Sequence, residues 1–276
     1  MRVNVNDLTI TTLDTITGFD VSTGAWLFTL DELQSGTIAN SEEKIDITGK
    51  GGRKLGSIKR NKAVTVSGSN GLISGGMLAT QVGGNFESKE ATPVKWTDYL
   101  TIESNVATTN YKAVGTAGNE IETVYIKNPD GTIKETLTQN ATAEAGKFKY
   151  DPATKKLEFE AEKYENGTAI VVYYIRNIPG SVLSNVSDNF SGKATLYIDA
   201  TGEDKCNNTY RIQFFIPKAD FSGTFDIALG ENQAVHNFEA DSLVASGYCG
   251  GAASGTNGLL WTYTVFGVNA EDAASA

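Results

Sequence analysis

The residues best suited to cradle a phosphate stand together at Thr48-Gly49-Lys50-Gly51-Gly52-Arg53-Lys54. A phosphate loop needs Gly-x-x-x-x-Gly-Lys-Ser/Thr between a buried strand and a helix, so that backbone amides wrap the anion while lysine and hydroxyl meet its charge and metal. No Ser or Thr follows Lys50, and the sequence predicts no helix directly after it. The stretch reads instead as a long solvated β-hairpin, flexible at its glycines and cationic at its tip. Nucleophilic catalysis would have to run through His236, the one histidine, because Ser-His-Asp and Cys-His sets need an imidazole base. His236 lies in Gln233-Ala-Val-His-Asn-Phe, no Gly-x-Ser-x-Gly elbow occurs, and a structural histidine is the simpler reading. Metal ligation by Cys206, His236 and Cys249 matches no zinc spacing. Glu158 and Glu160 would share one strand face with Phe159 on the other, a solvated face more simply than a glycosidase pair. These residues predict no enzyme, no metal and no cofactor.

The elements that must position these residues are strands. Strand-like runs are read at Ala25–Leu30, Lys44–Thr48, Ala63–Ser67, Thr123–Lys127, Lys156–Lys163, Ala169–Arg176, Ala194–Asp199, Tyr210–Pro217, Gly223–Leu229 and Leu259–Val268. Each is bounded by Gly, Asn, Asp or Pro, the pattern of a sandwich or barrel. Asn128-Pro129-Asp130-Gly131 reads as a turn in which Pro sets one φ and Gly accepts a positive one, and Tyr150-Asp151-Pro152-Ala153-Thr154 reads as a second. Tyr173, Tyr174, Phe214, Phe215, Trp261 and Tyr263 fall inside strand runs, where core packing is the default role and an exposed sugar platform the alternative. Helical periodicity is scarce. It predicts one short helix over about 69–82, stopped by Gly83-Gly84, and a shorter one over Glu239–Ala245. The terminal 270–276 is small and polar and reads as frayed.

Forty per cent hydrophobic residues over 276 positions supply a real core. The formal net charge of -10 argues against a protein that grips nucleic acid, though an acidic wall lets a phosphate backbone pass without sticking. No apolar run approaches the ~20 residues of a membrane span. The N-terminal residues show no signal-peptide pattern, and two cysteines suit a cytoplasmic assembly site better than a disulfide scaffold. Between Glu42 and Lys62 seven bases, Lys44, Lys50, Arg53, Lys54, Lys59, Arg60 and Lys62, face three acids, a balance of +4. Between Asp199 and Asp241 eight acids face three bases, a balance of -5. One molecule thus carries complementary patches through which two copies could meet head to tail.

The segments Asp20-Val-Ser-Thr-Gly-Ala-Trp-Leu-Phe-Thr-Leu, Glu43-Lys-Ile-Asp-Ile-Thr-Gly-Lys-Gly-Gly-Arg-Lys-Leu-Gly-Ser-Ile-Lys-Arg-Asn-Lys and Thr65-Val-Ser-Gly-Ser-Asn-Gly-Leu-Ile-Ser-Gly-Gly-Met-Leu resemble the N-terminal part of the major tail (tail-tube) proteins of long-tailed bacteriophages. Tyr210-Arg-Ile-Gln-Phe-Phe-Ile-Pro-Lys-Ala, Phe225-Asp-Ile, Phe238-Glu-Ala and Leu260-Trp-Thr-Tyr are similar to the closing strands of the same family. The middle, 101–177, matches least well, and reads either as core strands of a single domain spanning 1–276 or as an inserted β-sandwich module; the core is expected from 1–100 and 178–270.

The resemblance implies an all-β sandwich or barrel with one short helix and a long basic hairpin loop. It implies subunits that form hexameric rings, sheets joined edge to edge around a lumen, and rings stacked through a long hairpin. Its partners would be itself and the terminator, tape-measure and baseplate proteins; viral DNA would pass the lumen without specific binding, and no membrane is involved. The protein would be assembled in the bacterial host cytoplasm and reside in the virion tail. The bases from Lys44 to Lys62 would form the inter-ring contact. A capsid-decoration or baseplate protein and a carbohydrate-binding or adhesin module are the rival readings.

Overall fold

The computed structural model describes residue 5 and residues 7–227, 235–244 and 258–267. In chain order its elements are β1 (Thr9–Asp20), β2 (Trp26–Leu30), β3 (Leu33–Thr48), a single 3-10 turn at Lys50–Gly52, β4 (Lys54–Asn70), α1 (Gly75–Val82), β5 (Glu87–Ile102), β6 (Val106–Thr108) and β7 (Thr123–Lys127). There follow β8 (Ile133–Gln139), β9 (Lys147–Asp151), β10 (Lys156–Glu158), β11 (Thr168–Val182), β12 (Lys193–Glu203), β13 (Thr209–Phe221), β14 (His236–Ser242) and β15 (Thr262–Gly267). The fold is all-β, with one short α-helix among the described residues. Two compact units divide the chain: Met1–Phe86 together with Leu183–Ala276, and Glu87–Val182.

The first unit is one open antiparallel sheet in the order β2-β1-β12-β13-β14-β4-β3. A single edge of β13 is shared, β15 pairing its Tyr210–Phe215 and β14 its Ala219–Phe221. Period-two alternation selects the faces. Along β12, Ala194, Leu196, Ile198 and Ala200 are buried while Thr195, Tyr197, Asp199 and Thr201 face the other way. The buried side joins Ile16, Phe28, Leu30, Val66, Ile216, Phe221 and Phe238 in one cluster with Met77 of α1.

Helix α1 is narrower than the periodicity over 69–82 predicts. Ser69 and Asn70 remain in β4, held by β3 on one side and β14 on the other, and two ladders outweigh a weak helical stripe. The helix begins only where the Ser74 hydroxyl accepts from Met77 N, and it ends where Gly83 turns left-handed at φ 66. A Cβ on Gly83 would lie 1.9 Å from the Phe190 carbonyl oxygen, so glycine is required there twice over. The helix expected at Glu239–Ala245 is instead β14: His236, Phe238, Ala240 and Ser242 are buried and the residues between them exposed, a strand period satisfied by pairing with β4; Ala245 lies outside the described residues. Of the strand expected at Gly223–Leu229 the described part, 223–227, forms only an isolated bridge between Ile227 and His236; Ala228, Leu229 and 270–276 lie outside the described residues.

The second unit is a seven-stranded sheet in the order β5-β11-β7-β8-β9-β10-β6, whose two ends are consecutive in the chain. Ser104 and Asn105, at φ 51 and 62, make the two-residue turn that joins them, with Glu103 and Val106 exchanging backbone hydrogen bonds of 2.9 and 3.0 Å. The sheet thereby curls nearly shut around Ile102, Ile121, Val124, Ile126, Leu137, Phe148, Leu157, Ile170 and Val172. The buried Asp98 carboxylate is satisfied by Trp96 Nε1, Asn110 N, Asn110 Nδ2 and the Tyr174 hydroxyl. Both sequence-read turns are present. Gly131 takes φ 87 between β7 and β8, and Asp151 accepts from Ala153 N and Thr154 Oγ1 between β9 and β10. The strand expected to run to Lys163 stops at Glu158: its partner turns back at Ser104-Asn105, and the chain itself turns at 160–163, where Lys163 N donates to Glu160 O and Glu162 takes φ 62. Glu158 and Glu160 therefore do not share a strand face; they pair separately with Lys149 and Lys163.

Candidate assembly surface

Strands β3 and β4 run 16 and 17 residues, yet among the described residues only Thr65–Asn70 of β4 has a neighbour on both edges. From Lys54 to Val64 its partner among the described residues is β3 alone, so the distal hairpin is a two-stranded ribbon reaching beyond the sheet. Between the pairs Ser41–Ala63 and Glu43–Arg60, β4 carries one residue more than β3, and Asn61 there takes φ 53. Such a bulge bends and twists a ladder, and here it stands where the ribbon departs.

All seven bases singled out by charge lie on this ribbon or its tip. Lys54 pairs with Asp46 at 2.6 Å and Lys59 with Glu42 at 2.6 Å. Arg60 grips Glu43 through Nε and Nη2 at 3.1 and 3.0 Å, with Asn61 Nδ2 adding a third donor at 2.6 Å. Hydrogen bonds from Lys59 and Arg60 hold the Glu42 and Glu43 carboxyls below their ordinary range. Every acid of the ribbon thus takes one base, and Lys44, Lys50, Arg53 and Lys62 have no ion-pair partner among the described residues. Those four are the local excess of positive charge. At the tip, Gly49 N donates to Arg53 O at 2.7 Å and Gly52 N to Gly49 O at 3.0 Å, so amides that a phosphate loop would turn outward are spent inside the turn.

Charge counting missed the ribbon's apolar content. Ile45 stands opposite Ile58, Ile47 opposite Gly56, and Leu55 is 72% exposed with Ile58 at 54%. Among the described residues no core lies beneath either face of this segment. An isolated two-stranded hairpin is marginal in water, and four exposed aliphatic side chains on a slender element are the composition of a contact surface. The alternation Ile45-x-Ile47 inside a basic stretch was the available signal.

The other residues with chemical potential are placed apart. His236 is buried on β14, where its Nε2 lies 2.7 Å from Gln81 Oε1 while Gln81 Nε2 donates to Asn237 O, tying α1 to the sheet. Burial pushes the His236 pKa below the ordinary imidazole value. Cys206 is exposed, Cys249 lies outside the described residues, and among the described residues no three His, Cys, Asp or Glu side chains gather as metal ligands. Of the strand aromatics, Tyr174 is buried behind Asp98, Tyr173 is half exposed beside Tyr125, and Phe214 packs against Trp261 and Tyr263. No helix among the described residues is long and apolar enough to cross a membrane. Among curated proteins none matches the chain. A family model described as the YomU/Tube protein family matches residues 9–251, from the start of β1 past the end of β14, and the chain belongs to that family.

Proposed function

We propose that the chain is the subunit of a phage tail tube, a non-enzymatic structural protein that assembles with copies of itself. The observation that carries this reading is the β3–β4 ribbon, a long, partly apolar element that nothing among the described residues of its own unit covers. Membership of a tube-protein family supports it. In this reading the sheet edges left open at β2 and β3 join those of neighbouring copies in a hexameric ring, since unpaired strand edges are templates for pairing. Rings stack through the ribbon. Contacts that join different patches and do not close produce filaments. Viral DNA passes along the lumen at ejection without specific binding, and terminator, tape-measure and baseplate proteins complete the tail. Assembly takes place in the host cytoplasm and the product is part of the virion.

Sedimentation of the purified protein over a concentration series tests the reading. Rings or polymers growing with concentration are expected. A monomer at every concentration, or a closed trimer, contradicts it, the trimer pointing to a capsid-decoration role.

A further inference from the structure

The distal ribbon needs a receiving surface, and the first unit carries a groove of about 350 Å³ on the face of β3, β4 and β14 turned away from the core. Its floor is made of short polar side chains, Ser35, Thr37, Ser67, Ser69 and Asn237, which leave a trough where longer residues would fill it. Ser35 and Ser69 hydrogen-bond to each other at 2.7 Å. One wall is Thr224–Asp226, held by Ser222, whose N–H donates to Glu239 O at 2.8 Å and whose hydroxyl accepts from Thr224 N. Asp226 and Glu239 bring two carboxylates to the groove, and neither has an ion-pair partner among the described residues.

We propose that this groove receives the cationic ribbon tip, Lys50 and Arg53, of a second copy of the chain. The proposal rests on the tail-tube reading and adds the partner surface. Complementarity is direct: two unpaired carboxylates in a hydroxyl-lined trough, and two unpaired bases on a narrow glycine-rich turn. A chain cannot dock its tip into its own groove, because both lie along the same pair of strands. From Ser67 to Arg53 is fourteen residues, at most about 46 Å at ~3.3 Å per residue. The contact is therefore between copies and joins unlike patches, so it can repeat from one copy to the next, with an advance of at most about 46 Å per copy at ~3.3 Å per residue.

Complementary charge reversal tests it, because all four side chains are exposed and each variant should melt like the parent. One variant carries Asp226→Lys with Glu239→Lys, so a basic tip meets a basic groove. The other carries Lys50→Glu with Arg53→Glu, so an acidic tip meets an acidic groove. Each alone should raise the concentration needed for pelletable polymer by tenfold or more, and mixing the two should restore it, since each tip then suits the other's groove. If the groove variant alone polymerises like the parent, or if the mixture stays unassembled, the docking assignment is wrong while parental tubes leave the tail-tube reading standing. If the parent forms no polymer, the tail-tube reading fails and this contact fails with it.

Discussion

The two units solve the edge problem of a β-sheet in opposite ways. In Glu87–Val182 the order of strands ends where it began, at the Ser104-Asn105 turn, and the sheet curls nearly shut around its own core. In the other unit, among the described residues, the sheet stays open at β2 and β3, and β3 and β4 continue past their last neighbour into a ribbon with exposed apolar side chains. Closure makes a sheet self-sufficient, whereas open edges and a coreless ribbon suit a sheet completed by other molecules. Stability in the first case, and assembly in the second, should respond to different residues.

The largest effects on folding belong in the closed unit. Phe148 is fully buried, and Phe148→Ala should cost about 3–5 kcal/mol in chemical denaturation. Leu55→Ala on the ribbon should leave monomer stability within about 0.5 kcal/mol. It should nonetheless raise the assembly threshold severalfold or more, since burying a leucine contributes about 1.5–3 kcal/mol. Equal stability losses at the two sites would erase the distinction between them.

A glycine pair gives a smaller contrast. Gly83→Ala meets both φ 66 and the Phe190 carbonyl, whereas Gly131→Ala meets φ 87 with nothing within 4 Å. The left-handed conformation costs about 1–2 kcal/mol in each, so the loss of Tm should be clearly greater at Gly83. Acidification should then weaken the open unit through His236. Its folded pKa lies below the ordinary 6.5, so as pH falls past about 6.5 the unfolded chain takes up a proton that the folded chain refuses, and stability declines. Carboxylates such as Asp20, held down to about 2 mainly by Ser22 and Thr23, act in a lower window. Melts between about pH 7.5 and 5.5 should therefore slope in the parent and flatten in His236→Gln. The smallest effect is that of salt on the monomer: the three ribbon ion pairs are exposed, so screening them should leave Tm unmoved while it weakens polymer formation.

The all-β class and both proline-containing turns were legible because period-two alternation and turn chemistry act locally. The helix boundaries were not. Ser69 and Asn70 fit a helical stripe, but two neighbouring strands hold them in β4, and that competition is decided by pairing far along the chain. The same long-range pairing turned Glu239–Ser242 into strand. In the ribbon the seven bases could be read from composition. Their division into three paired and four unpaired required the register that sets Glu43 opposite Arg60 and Asp46 opposite Ser57, beside Lys54. The groove was illegible for the same reason, since Ser35, Ser67 and Glu239 share a face only once three strands are aligned.

The central claim is that the open sheet and its ribbon exist to be completed by copies of the same chain. Negative-stain electron microscopy of the concentrated protein tests it most directly. The account predicts stacked rings or hollow tubes, with an axial repeat no longer than about 46 Å set by the reach of the ribbon at ~3.3 Å per residue. Uniform monomers, or closed particles that never stack, would contradict it.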